Sequence, residues 1–466
     1  MFSVLIQTLG CKLNQLESEA ITDAFLRCGF SIYDKNTQTK EPPVIVINTC
    51  TVTSKADQKA RRFIRKALRD YPFSSVFVTG CYANLDKTAI EELDNLKSGR
   101  LFVMKNSEIL DLPALLKERK QGTGNISDKE KSFIPSPQAS MQSFSILEKN
   151  FQFAPQQFSA HTRGSLKIQD GCNKTCTYCR IRLARGPSIS LDSKTVLERL
   201  FILEQSHAEV VLTGVNICQY QDKAAKNLVE LLDYLLNKTK NICIRLSSLE
   251  PENIDENFAK ILSHPRIRPH FHLSIQSFSK NILEKMGRKY TPEVIERAIT
   301  LLRSAKEDPF IACDIITGFP GETHEEFEKT YEMCKKSSFA WIHVFPYSKR
   351  PGTPAFLLKE TVPEKEVSKR VEILTSLAWQ GRNEYVKRWI GKEVEVVVEN
   401  GGGKFHQGKY YQGKFYQGTS ENYLKVLVQY DGEAPIQGSV ARCLLSSVDV
   451  QGDYDVICSP PKQQHR

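Results

Sequence analysis

Near the start of the chain, three short apolar runs at 2–8, 44–48 (VIVIN) and 76–79 are each followed within three residues by a cysteine: Cys11, Cys50 and Cys81. Helical spacing follows each run, over 17–27, 55–69 and 88–96. Strands that alternate with helices must pair in parallel, because the crossover carries the chain back to the same end of the sheet. The carboxyl ends of parallel strands converge on one crevice. Three cysteines far apart in sequence are therefore expected to face one another, although any one strand end could simply bury a small apolar Cys.

A second alternation begins at Ser165. Strands are expected at 166–169, 209–212, 242–247, 270–275, 311–316 and 340–345, with helices at 194–205, 228–236, 293–304 and 325–335 between them. Six βα units suit a parallel (β/α)6 barrel or part of one, with its working face at the C-terminal strand ends. After a helix at 364–388, runs at 394–398, 423–430 and 439–445 are separated by Gly-rich turns, which predicts a small antiparallel β-barrel. The expected organisation is an N-terminal parallel-sheet α/β domain (1–118), a linker rich in Gly, Ser, Gln and Pro (119–160), the partial barrel (161–390), the small β-barrel (391–451) and a tail (452–466).

The chain has 13 Cys among 466 residues, an odd number that argues against a disulfide set and for metal or redox groups. Cys28, Cys243, Cys313 and Cys334 fall within helix or strand patterns and read as core. No apolar run reaches the length of a membrane span, and the N-terminus has neither a basic region nor a cleavage site, so the expected location is the cytosol. The net charge of +10 is compatible with a nucleic-acid partner.

The most specific local signal is Cys172-x3-Cys176-x2-Cys179, in DGCNKTCTYCR after the first barrel strand. Three thiolates on one loop can ligate three irons of a [4Fe–4S] cluster and leave the fourth open. Zinc would need a second Cys pair or a His at matching spacing, and none stands nearby. The helix pattern at 55–69 adds a basic stripe of Lys55, Lys59, Arg62, Lys66 and Arg69, which occupies about 80° of arc. It reads either as a solvated face or as a phosphate-binding surface. Residues 403–417 repeat GKFHQ, GKYYQ and GKFYQ, an extended hairpin or loop in which Lys404, Lys409 and Lys414 lie among aromatics. That loop could stack bases and pair phosphates, or have no task.

The segments TLGCKLNQLES, VINTCTVT, VTGCYA, the Cys172 loop, VLTGVNICQY, RLSSLEP, FHLSIQS, DIITGFPGET and HVFPYSKRPGTPA together resemble the radical S-adenosylmethionine (SAM) methylthiotransferases. The likeness spans about residues 3–446, including GTSENYLKVLV, which is similar to their RNA-binding TRAM barrel. The form Gly-Cys-Lys-Leu-Asn-Gln at Cys11 is most similar to the branch acting on N6-threonylcarbamoyladenosine beside the tRNA anticodon. The branch acting on isopentenyladenosine more often has Gly-Cys-Gln-Met-Asn. The resemblance implies methylthiolation at C2 of that nucleoside, with tRNA and an external electron donor as partners and with no membrane and no stable protein partner. It also implies two [4Fe–4S] clusters, one on Cys172, Cys176 and Cys179 and an auxiliary one on Cys11, Cys50 and Cys81. SAM would be held by Thr213, Gly214 and Asn216, by Arg245, Ser247 and Ser248, by Gln276 and Asp314 as further strand-end residues, and by Tyr178, Phe345 and Tyr347. The sequence departs from the family after Cys179, where Ile189 and Leu191 replace common arginines, and Cys218 stands where Gly is common. Alternative readings are the same chemistry on isopentenyladenosine or on a ribosomal protein, and a noncatalytic iron–sulfur RNA-binding protein.

Overall fold

The expected runs become strands β1 (Ser3–Thr8), β2 (Ser31–Ile32), β3 (Val44–Thr49), β4 (Ser75–Gly80) and β5 (Leu101–Val103). The computed structural model describes residues 2–34, 40–94, 98–121, 150–155, 158, 162–405, 414–430, 435–448 and 455–459. These first strands form one parallel sheet in the order β2-β1-β3-β4-β5. The short β2 and β5 extend it beyond the three runs expected. Both faces are covered, which is why VIVIN is apolar without alternation. Val44, Val46 and Phe77 pack on the helices Lys12–Arg27 and Leu112–Gln121, while Ile45, Ile47, Val76 and Val78 pack on Ser54–Asp70. The chain order reverses between β1 and β3, so the crevice of this sheet opens at the ends carrying Cys11 and Cys50.

The second unit contains β6 (Gly164–Lys167), β7 (Gln169–Asp170), β8 (Ile189–Ser190), β9 (Glu209–Thr213), β10 (Cys243–Leu246), β11 (His270–Gln276), β12 (Phe310–Thr317) and β13 (Trp341–Pro346). β6-β9-β10 and β11-β12-β13 are parallel sheets, joined by parallel bridges between Ile244 and Ile267 and between Leu249 and Leu273. The result is an open six-stranded barrel. Its outer face, including Leu166, Leu212, Ile244, Leu273, Ile315 and Ile342, packs against the surrounding helices. Alternate positions face inward and are largely polar: Ser165, Glu209, Arg245, His272, Ser274, Asp314 and His343. A concave face with that chemistry is not a packed core.

The N-terminal unit spans the opening. On the β6 side, Glu17 pairs with Lys167 and Arg185; on the β13 side, Arg350 pairs with Asp57 and Thr51, and Ser54 bonds Ser348. Within the expected linker, residues 150–155 anchor both units. Phe151 enters the central core and Phe153 the N-terminal one, with the Lys167 ammonium over both rings.

The helix Glu364–Trp389 leads into β14 (Glu393–Phe405), β15 (Lys414–Ser420), β16 (Lys425–Gln429), β17 (Val440–Val448) and β18 (Val456–Ser459), a closed barrel in the order β14-β15-β16-β18-β17. β18 corrects two expectations. It lies in the stretch read as a tail, and it pairs parallel to β16, so the barrel is not wholly antiparallel. Asp455 holds it in place by accepting from Lys425 N and pairing with Arg382. No helix among the described residues is long and apolar enough to cross a membrane.

Candidate functional site

The loop after β6 is held by Gln169, whose amide donates to the carbonyls of Asp170 (3.0 Å) and Gly171 (2.7 Å) and to Ser188 Oγ (2.8 Å). Its Oε1 accepts from Asn216 N at 2.8 Å, which ties the cysteine loop to the turn after β9. Thr177 is clamped by Met286 and Ala355, and Tyr178 packs its ring near Phe319. Cys172, Cys176 and Cys179 are thereby held within electrostatic reach of one another. Burial pushes the Cys179 thiol up to about 12 and also raises Cys172, against backbone N–H groups that favour the thiolate. Arg288 Nη1 donates to Cys176 Sγ at 3.3 Å, and Gln219 Nε2 approaches Cys172 Sγ at 3.7 Å.

Of the positions expected to serve SAM, Thr213 and Gln276 end their strands, and Gly214, Asn216, Ser247, Ser248 and Tyr347 follow strand ends beside the loop. Phe345 is the penultimate residue of β13 and is 38% exposed, facing the open interior. Asn216 Oδ1 is buried with no partner among the described residues. A buried acceptor left without a donor is costly, and the methionine ammonium of SAM would satisfy it, so the residues present fit that group. Two assignments are corrected. Arg245 lies within β10, is fully buried, and forms a bidentate pair with Glu209 (2.7 and 2.9 Å). Its third contact, Ser420 O, belongs to the C-terminal barrel, so Arg245 ties two units together and does not reach the loop. Asp314 is three residues short of the end of β12 and pairs with His272 Nε2 at 3.2 Å. Spacing on a strand shows which face a residue takes and leaves its partner undetermined.

Cys11, Cys50 and Cys81 meet at the crevice of the first sheet. Gly10, at φ +123°, brings β1 so close to β3 that a Cβ there would lie 2.5 Å from Cys50 Cβ. Asn14 Nδ2 donates to Asn48 Oδ1 (3.0 Å) and Thr49 O (3.1 Å), and its Oδ1 accepts from the Cys11 thiol (3.2 Å), which locks both turns together. Burial pushes the Cys81 thiol up to about 12, opposed by Arg185. The Arg185 Nε–H donates to Cys81 Sγ at 3.0 Å, while its two terminal nitrogens reach Glu17 (2.7 and 2.9 Å) and Asp170 (3.2 Å). Asp170 stands two residues before Cys172, so a single guanidinium connects the two cysteine sets. Among the described residues, no three His, Cys, Asp or Glu side chains converge on one metal ion.

Several functional groups escaped the sequence reading: Arg185, Arg288, Gln169, and the inward-facing His272 and His343. The alternation in HFHLSIQ and WIHVFP, polar on one face within a sheet expected to be buried, was a signal that could have found the histidines. The basic stripe stands as expected. Lys55, Lys59, Arg62, Lys66 and Arg69 are all exposed on the helix Ser54–Asp70, and Thr53 caps that helix by accepting from Ala56 N. Asp57, on the same helix, is buried against Arg350 and does not offset the stripe. Lys404 and Lys414 lie on the paired strands β14 and β15, whereas Lys409 falls outside the described residues.

Residues 166–334 match the Radical SAM superfamily, and residues 3–99 match the uncharacterized protein family UPF0004. The chain is 39% identical to the threonylcarbamoyladenosine tRNA methylthiotransferase MtaB of Treponema pallidum, over 95% of this chain and 98% of that one. It is 33% identical to the Bacillus subtilis protein of the same name, over 95% and 93%. Identity to the tRNA-2-methylthio-N(6)-dimethylallyladenosine synthase of Oceanobacillus iheyensis is 29%, over 85% and 74%. Membership in this superfamily implies SAM and a [4Fe–4S] cluster, which agrees with the thiol loop and with the unpaired Asn216 acceptor. With a thiol-bearing parallel sheet, an open barrel holding a Cys-x3-Cys-x2-Cys loop and a closed five-stranded C-terminal barrel, the chain belongs to the radical SAM tRNA methylthiotransferases of the MtaB type.

Proposed function

We propose that this enzyme adds a methylthio group to C2 of N6-threonylcarbamoyladenosine beside the tRNA anticodon, with one [4Fe–4S] cluster on Cys172, Cys176 and Cys179 and a second on Cys11, Cys50 and Cys81. The observation that supports this reading is Arg185, which bonds both Cys81 and Asp170, two residues before Cys172. When bound, SAM and its cluster supply radical chemistry able to open a C–H bond that is neither acidic nor electrophilic. The chain's own residues bind and orient. Asn216 would accept from the methionine ammonium, with Thr213 and Gly214 shaping the turn, and Ser247 and Ser248 would offer hydroxyls at the next strand end. Gln276 would offer its amide to the ribose, and Tyr178, Phe345 and Tyr347 would supply aromatic surface for the adenine. Arg288 donates to Cys176 Sγ from 3.3 Å and so orients that ligand. Lys55, Lys59, Arg62, Lys66 and Arg69 hold tRNA phosphates, and the repeat that carries Lys404, Lys409 and Lys414 adds RNA contacts. The enzyme works in the cytosol with an external electron donor and without a stable protein partner.

The higher identity to MtaB proteins supports threonylcarbamoyladenosine over dimethylallyladenosine as the substrate. Nucleoside mass spectrometry of tRNA from a host lacking the modification, with and without this chain, tests the reading. Methylthio-threonylcarbamoyladenosine should appear and should vanish in Cys50→Ala. Methylthio-isopentenyladenosine in its place would transfer the enzyme to the neighbouring branch.

A further inference from the structure

Glu250, in the segment RLSSLEP, has no role in the assignments above, yet it is buried beside the turn after β9. The bridge from Leu249 to β11 fixes the chain there, and the Glu250 N–H donates to Cys218 Sγ at 3.3 Å. Its two carboxylate oxygens have different partners. Oε1 accepts from Asn216 Nδ2 at 3.3 Å, while Oε2 accepts from Arg288 Nη2 and faces Lys174 Nζ at 3.6 Å. Arg288 is itself held on every side: its Nε donates to Tyr290 Oη and its Nη2 to Ser274 O, both at 2.7 Å, and its Nη1 donates to Cys176 Sγ.

A continuous run of hydrogen bonds therefore leaves the cysteine loop at Gly171, passes through Gln169, Asn216, Glu250 and Arg288, and returns to the loop at Cys176. All four connecting residues are buried. Such a network is rigid where its members are satisfied. Within this run one side-chain atom is not, Asn216 Oδ1. The direction of that amide follows from Glu250. A carboxylate whose other oxygen faces two cations only accepts, so Asn216 turns its NH2 toward Oε1 and leaves its carbonyl oxygen bare on the opposite side.

We propose that Glu250 is a positioning residue of the SAM site: it takes the Asn216 NH2, fixes Asn216 Oδ1 as the acceptor for the amino group of SAM, and through Arg288 ties that acceptor to Cys176. This rests on the assignment of Asn216 to SAM made above. If Glu250 only neutralised Arg288 and Lys174, the Asn216 amide would be free to present either end. A glutamine at position 250 separates the two roles. Its carbonyl still accepts from Arg288, but its own NH2 can turn toward Asn216. The Asn216 amide then reverses and presents N–H groups where an acceptor is needed, and donor faces donor.

The test compares the affinity of S-adenosylhomocysteine with that of its desamino analogue, by anaerobic calorimetry on the full reconstituted chain. The wild type should prefer the ligand that carries the amino group. Glu250→Gln, with unchanged iron content, should lower that preference about 5- to 10-fold, the worth of one hydrogen bond. If Glu250 is a counter-charge alone, the variant weakens both ligands by the same factor, and that unchanged preference overturns the proposal. A crystal structure of the wild type with S-adenosylhomocysteine needs no variant, so it serves even if Glu250→Gln loses its iron. Asn216 should bond Glu250 on one side and the ligand nitrogen on the other; an Asn216 side chain out of reach of either overturns the proposal. Equal wild-type affinity for the two ligands is a separate result and refutes the assignment of Asn216 to SAM itself.

Discussion

Replacing Arg185 by Met removes one cation from a buried junction while nearly keeping its volume. Arg185 is 4% exposed, Glu17 1% and Asp170 6% by side chain, so water cannot replace the lost charge. The junction holds two carboxylates and two cations. After the change, Lys167 alone must serve Asp170 at 2.6 Å and Glu17 at 3.5 Å, and one negative charge is left uncompensated. Breaking a buried pair in this way costs about 3–5 kcal/mol, a large part of the ~5–15 kcal/mol that holds a typical domain folded. The cost should fall on the docking of the N-terminal unit against β6. It is measured by anaerobic urea denaturation of Arg185→Met, Glu17→Gln and the double variant. In the double variant the orphaned charge is gone, so its destabilisation should be about 2 kcal/mol less than the sum of the singles. An Arg185→Met protein within about 1 kcal/mol of wild type, or strictly additive effects, would refute the view that this junction is an electrostatic lock.

Three further outcomes follow from the geometry. Gly10→Ala, with its Cβ forced against Cys50 at φ +123°, should lower iron from the about eight per chain expected of two clusters to about four while the Cys172 loop stays loaded; about eight in the variant would refute the view that the close approach of Gly10 to Cys50 shapes the N-terminal site, and about four already in the wild type would count against an N-terminal cluster. Lys59→Ala/Arg62→Ala/Lys66→Ala should flatten the slope of log K against log salt for tRNA binding by about 2, and an unchanged slope would make the stripe a solvated face. Burial pushes the carboxyls of Asp170 and Glu209 up, but Lys167 with Arg185, and Arg245 with Arg268, more than offset it and hold both below their ordinary values. The stability they contribute is therefore fully present above pH about 4 and lost as pH falls through their depressed values; urea midpoints at pH 7, 5 and 3.5 that showed no late drop would contradict this.

The βα alternation was legible because hydrophobic period and chain reversal are local. The runs ending near Cys11, Cys50 and Cys81 became β1, β3 and β4, and the six barrel strands appear within a few residues of where their patterns placed them. The cysteine loop needed only its spacing. Arg245, Asp314 and β18 were misread because their roles depend on remote partners. Glu209 and Ser420 claim Arg245, His272 claims Asp314, and Asp455 anchors a strand that looked like a tail.

Local chemistry, then, settled the fold class, the order of the three units and the thiols available to iron, because each depends on periodicity or on residues close in sequence. Only the folded chain decided that Arg185 bonds Cys81 and the loop before Cys172, that His272 pairs with Asp314 and Ser248, and that the N-terminal sheet closes the open side of the barrel. Those facts depend on charges and hydrogen-bonding groups from distant segments meeting where water is excluded. There each one is strong and costly to leave unpaired, and no pattern along a single strand or helix records which partner it will find.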